Sequence, residues 1–70
     1  MDTVLVSGII PPESIDALQT YFRVIAPTDR PFSRETVMEH IGECQGLLAY
    51  GLRVDEELLA LAENLRIIST

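Results

Sequence analysis

Apolar residues along the chain gather in short clusters that alternate between two spacings. The runs Thr3-Val4-Leu5-Val6-Ser7, Val24-Ile25-Ala26, Gly46-Leu47-Leu48-Ala49-Tyr50 and Arg66-Ile67-Ile68-Ser69-Thr70 are near-continuous, as strands buried on both faces require. Between them apolar residues recur three and four apart. Ile15, Leu18, Tyr21 and Phe22 define one helical stripe. Val37, Met38 and Ile41 define a second, and Leu58, Leu59, Ala62 and Leu65 a third. The punctuation agrees with this division. Pro11-Pro12 opens the first helix, where a missing N–H is tolerated, and Glu13 and Asp16 suit the positive end of its dipole. Pro27 and the turn Thr28-Asp29-Arg30-Pro31 stop the second strand. Ser33 and Asp55 are the expected N-caps of the second and third helices. Gly42 loosens the second helix's last turn.

The expected order is therefore β-α-β-α-β-α-β, an α/β fold with short connections and no linker. Crossovers of this length imply parallel strands with helices on both faces of the sheet. A last strand of buried type leaves surface that either more chain or a neighbouring copy would cover, and the second option would make a homodimer or a swapped oligomer.

Composition narrows the setting more than the function. With 47% hydrophobic and 23% charged residues the chain is not a disordered segment. Eleven acidic residues face five basic ones, all arginine, for a net charge of -6. Such a surface repels phosphate backbones and anionic lipid, so neither nucleic acid nor a membrane is an expected partner. Cys44 is alone, which rules out an internal disulfide and a cysteine zinc cluster. The first ten residues carry no basic n-region and run straight into Pro11-Pro12, so no signal peptide is expected, and no apolar run approaches the roughly 20 residues that span a bilayer. A cytoplasmic location is expected.

Candidate chemistry is sparse. Gly8-Ile9-Ile10-Pro11-Pro12 lacks the second and third glycines of a dinucleotide fingerprint, and a chain without lysine holds no P-loop. The strand ends Ser7, Ala26 and Tyr50 carry no acid, so the clustered carboxylates of a phosphoacceptor site are missing. His40 is the only histidine and forms no two-histidine metal motif; Cys44 lies near a helix C-terminus, away from the setting that activates a thiol. Glu56 and Glu57 are adjacent, diverge around their helix and serve its dipole. No catalytic, cofactor-binding or metal-ligating residue is assigned.

Open α/β sheets bind ligands outside the carboxyl ends of their strands. Tyr50 lies at such an end, and Gly51 can bring backbone close to a ligand or adopt positive φ. They are either a turn glycine beside a packed tyrosine or the lining of a cleft. Gly8 and Ile9 occupy the equivalent edge after the first strand. Arg53 is either exposed or a contact for an anion, and Ser69-Thr70 end at this face as well.

The segments Val4-Leu5-Val6-Ser7-Gly8, Pro12 to Leu18, Ser33-Arg34-Glu35, Gly46 to Tyr50, Arg53 to Leu59 and Asn64 to Thr70 follow one another in a familiar order. The chain resembles the N-terminal stretch of the D-isomer-specific 2-hydroxyacid dehydrogenases, the group of glyoxylate and hydroxypyruvate reductases. Val54-Asp55 and Asn64-Leu65-Arg66-Ile67-Ile68 carry most of the likeness. The resemblance implies that residues 1–70 are the N-terminal portion of a flavodoxin-like substrate-binding domain, with the Rossmann cofactor domain absent. It implies a parent oxidoreductase using NAD or NADP on a 2-oxo or 2-hydroxy acid. The family's arginine, glutamate and histidine would lie downstream, and neither the five arginines nor His40 fills those roles. Tyr50, Gly51 and Leu52 match the substrate-side loop and would line the cleft. On this reading the chain alone is inactive and binds no nicotinamide. Two other readings stand beside it: a self-contained small flavodoxin-like binding or regulatory domain, and an interaction module that assembles through its sheet edge.

Overall fold

The computed structural model describes residues 1–69. Four runs of apolar sequence form strands, β1 (Thr3–Val6), β2 (Arg23–Ile25), β3 (Gly46–Leu48) and β4 (Ile67–Ser69). Three helices connect them, α1 (Pro12–Gln19), α2 (Arg34–His40) and α3 (Glu56–Leu61). All strand pairs are parallel, in the spatial order β2-β1-β3-β4. This is the doubly wound, flavodoxin-like arrangement in which the chain leaves β1 first to one side and then to the other. Thr70, included in the expected fourth strand, lies outside the described residues.

Register divides the strand residues between two faces. Leu5 sits opposite Ile25 and Leu47, and Leu47 opposite Ile68. This face, extended by Ala49, meets Val37, Ile41 and Cys44 from the α2 region and Leu58 from α3 in one buried cluster. Phe32, Leu52, Val54 and Leu65 close its rim. On the other face Val4 pairs with Val24 and Gly46, and Val6 with Leu48. There Leu18 and Phe22, at and just beyond the end of α1, lie near Val4 and Leu48.

The helix starts follow their caps. Ser33 Oγ accepts from the Thr36 N–H at 3.2 Å, and Asp55 Oδ1 accepts from the Leu58 N–H at 3.1 Å. The helix ends come earlier than the apolar stripes indicate. α1 stops at Gln19, and the N–H groups of Tyr21 and Phe22 both turn back to the Leu18 carbonyl. Tyr21, expected on the inward stripe, is therefore 73% exposed while Phe22 turns in. After His40 the chain tightens into one 3₁₀ turn, Ile41–Glu43. There Gly42 lets α3 approach: a Cβ on it would lie 3.3 Å from the Leu61 carbonyl oxygen, and Asn64 donates to the Gly42 carbonyl at 2.8 Å. Of the adjacent pair Leu58 and Leu59 only the first is buried. β4, expected to be a buried strand, is exposed throughout; among the described residues it pairs with β3 alone, at the edge of the sheet.

Gln45 ties the amino ends of three strands. Its side chain accepts from the Thr3 N–H at 2.7 Å, its N–H donates to the Thr3 carbonyl at 2.9 Å, and its carbonyl accepts from Arg66 at 2.8 Å. The Cα radius of gyration, 11.1 Å, is that of a well-packed chain of this length.

Candidate functional site

β1 and β3 are neighbours in the sheet, but the chain leaves them toward opposite faces, β1 into α1 and β3 into α3. The divergence opens a crevice beyond their carboxyl ends, the place where sheets of this type bind ligands. Ser7 and Gly8 form one lip, and Tyr50, Gly51 and Leu52 the other.

The lips are tied by Ser7, which is only 1% exposed. Its hydroxyl accepts from the Tyr50 N–H at 2.7 Å and donates to the Tyr50 carbonyl at 3.0 Å. Its backbone N–H donates to Leu48 at 3.1 Å, and its carbonyl accepts from Phe32 at 2.8 Å. One residue thus joins the ends of β1 and β3 and the loop that enters α2. Gly8 packs directly on Tyr50: a Cβ at position 8 would lie 2.6 Å from the Tyr50 Cβ, a separation no side chain tolerates. Gly51 has φ +65, the left-handed conformation that glycine adopts freely. That turn leaves Tyr50 exposed at the rim and returns Leu52 to the core.

A second brace holds the loop from Gly51 to Asp55. Arg34 donates through Nη1 to the Arg53 carbonyl at 3.1 Å and through Nη2 to Asp55 Oδ1 at 2.7 Å. The Arg34 hydrogen bond, then the Leu58 N–H, hold the Asp55 carboxyl below the usual carboxylate range. Arg53 itself is exposed. Beside the crevice a depression of about 480 Å³ is lined by Ile10, Pro11, Ala17, Leu48 and Tyr50, with Ser14 as a polar neighbour. Ile9 is exposed at the same end.

His40 and Cys44 lie at the opposite end of the sheet, where α2 finishes and β3 begins. The Cys44 thiol donates to the His40 carbonyl at 3.2 Å and is fully buried, and burial pushes its pKa up. Among the described residues no three His, Cys, Asp or Glu side chains gather as a metal site, and no helix is long and apolar enough to cross a membrane. The crevice therefore offers shape, apolar surface and backbone groups.

Tyr50, Gly51, Gly8 and Ile9 stand at the carboxyl end, as their positions in the sequence require. Ser7 and Arg34 are the residues that reading by element misses. A serine directly after an apolar strand core was the available signal, since a hydroxyl buried there must find hydrogen-bond partners.

No family model and no curated protein matches this chain. Among solved structures it is similar to the PH0520 protein of Pyrococcus horikoshii, with a TM-score of 0.83 and 25% sequence identity. The match covers 97% of this chain and 20% of that one, so the chain spans about a fifth of the length of the structure it matches.

Proposed function

We propose that this chain forms one wall of the substrate cleft of an NAD(P)-dependent oxidoreductase acting on a 2-oxo or 2-hydroxy acid, and that it does no chemistry alone. The observation that carries the reading is the Ser7 tie between β1 and β3 at the sheet's switch point. It holds Tyr50 and Gly51 as a rigid rim where a small substrate would rest. The resemblance of these segments to the D-2-hydroxyacid dehydrogenases supplies the substrate class, and the similarity to a fold five times longer is in keeping with a contributing part.

The cofactor does not fit on these residues. Gly8, the glycine in the turn directly after β1, is packed against Tyr50 and leaves no room for a pyrophosphate. Pro11 and Pro12 remove N–H donors at the start of α1, and Glu13 in its first turn repels an anion. On this reading the nicotinamide nucleotide is held elsewhere in the parent, and the part of this chain is to shape the cleft and limit access to it.

The test is a chimaera in which residues 1–70 replace the matching segment of an active D-2-hydroxyacid dehydrogenase. It is expected to retain NADH-dependent reduction of a 2-oxo acid, with Tyr50→Ala changing KM between short and bulky oxo acids more than kcat. A soluble chimaera that binds NADH but reduces no 2-oxo acid would reject the assignment. The self-contained binding domain is a second reading, favoured by the closed core under α2 and α3. Under it the isolated chain would bind a small ligand at Tyr50 with no added domain.

A further inference from the structure

The ties at the carboxyl end of the sheet form a closed circuit. Ser7 takes both backbone groups of Tyr50 through its hydroxyl. Its carbonyl accepts from the Phe32 N–H at 2.8 Å. Just beyond Phe32, Arg34 opens α2 and reaches across to the Arg53 carbonyl and the Asp55 carboxylate. From Arg53 the chain runs back through Leu52 and Gly51 to Tyr50, which completes the circuit. Three segments far apart in the sequence are thereby linked, and Gly51-Leu52 is the longest stretch of backbone between two of the contacts.

Arg34 holds the far side of this circuit. Its planar fork donates in two directions at once, which a point charge does less well. The side chains of Arg34 and Asp55 are each 34% exposed, so their pairing adds only modestly to the stability of the whole chain. Nor does α3 depend on it for a cap, since the same Asp55 oxygen accepts from the Leu58 N–H. What Arg34 alone supplies is a hold on the Arg53 carbonyl, where the chain leaves the rim. Gly51 gives no packing resistance of its own, because a Cβ there would meet nothing within 4 Å. A turn released at its Arg53 end therefore regains conformational freedom. We propose that Arg34 is a positioning residue for the Tyr50–Gly51 rim, closing the circuit that fixes how far the rim yields and so how bulky a 2-oxo acid the crevice admits. Its bearing on substrate rests on the oxidoreductase reading; the closure of the circuit does not.

Amide hydrogen exchange of the 70-residue chain tests the closure. Arg34→Ala is expected to speed exchange of the Tyr50 N–H roughly three- to tenfold, the worth of a typical hydrogen bond. That amide bonds to Ser7, not to Arg34. The Gln45 N–H, bonded to Thr3 at the opposite end of the sheet, should keep its rate, which separates local opening from general unfolding. With Ser7→Ala the circuit is already open, and adding Arg34→Ala should then change the Tyr50 rate by about twofold at most. An unchanged Tyr50 rate, an equal acceleration at Gln45, or an undiminished effect beside Ser7→Ala would each overturn the proposal. In the dehydrogenase chimaera Arg34→Ala should raise kcat/KM for bulky relative to short 2-oxo acids by roughly the same factor, through KM more than kcat. A chimaera in which Tyr50→Ala alters this ratio and Arg34→Ala does not would overturn the positioning role. One that reduces no 2-oxo acid in any form would reject the oxidoreductase reading instead, and the exchange rates would decide the circuit.

Discussion

Ser7 acts at the crevice through hydrogen bonds to the backbone of Leu48, Tyr50 and Phe32. Its hydroxyl takes both backbone groups of Tyr50, so removing it leaves a buried N–H without its partner. Ser7→Ala is expected to cost about 1–3 kcal/mol, read by urea unfolding, with faster amide exchange at Tyr50 as the local sign. The two glycines of the rim differ in what they tolerate. At Gly8 the added methyl would meet the Tyr50 Cβ at 2.6 Å, and relief requires the two lips to move apart, at about 1–3 kcal/mol. At Gly51 a Cβ meets nothing within 4 Å, and the cost comes from φ +65 alone, about 1–2 kcal/mol. Gly8→Ala should therefore shift the Tyr50 resonances in an NMR spectrum, whereas Gly51→Ala should lower stability and leave them nearly in place. Tyr50 and Gly51 were legible in the sequence because a strand's carboxyl end is a local feature. The Ser7 tie was not, because its partner lies 43 positions away and no local period encodes it.

At the scale of elements, the start of α2 and the loop before α3 are fastened together by Arg34 and Asp55. Asp55 carries two duties, since the oxygen that meets Arg34 also caps α3. Its carboxyl ionises more readily in the folded chain than in the unfolded one. The stabilisation is therefore complete above the unfolded value, about 3.9, and is lost as pH falls through the lower folded value. Asp55→Asn keeps a capping side chain but gives up the charge. The difference in Tm between the two proteins should be largest near neutrality and shrink below about pH 4. Added salt should also reduce it, because both partners are partly exposed. Helix starts were legible from Ser33 and Asp55, whose side chains act within three residues. Helix ends were less so. Apolar spacing continues through Tyr21 and Leu65, yet α1 stops at Gln19 and α3 at Leu61, where the chain turns to meet the next strand.

For the whole molecule, the alternation of strand and helix was readable from apolar spacing, whereas the order β2-β1-β3-β4 was readable only through the likeness to a flavodoxin-like domain. A run of apolar residues marks a buried strand without saying which neighbours bury it. Here β1, the first made, ends up inside the sheet and β4 at its edge, with Ile67 and Ile68 exposed although their sequence is as apolar as that of β1. The central position of β1 also sets a timetable for the chain as it leaves the ribosome. Val4 finds Val24 early, through α1, but must wait for Gly46 before its second edge is paired. With synthesis at about 5–20 residues per second, the nascent protein spends a second or more with Val4-Leu5-Val6 open to any passing strand. A ribosomal pause between Ala26 and Gly46 prolongs that exposure, whereas one after Leu48 does not.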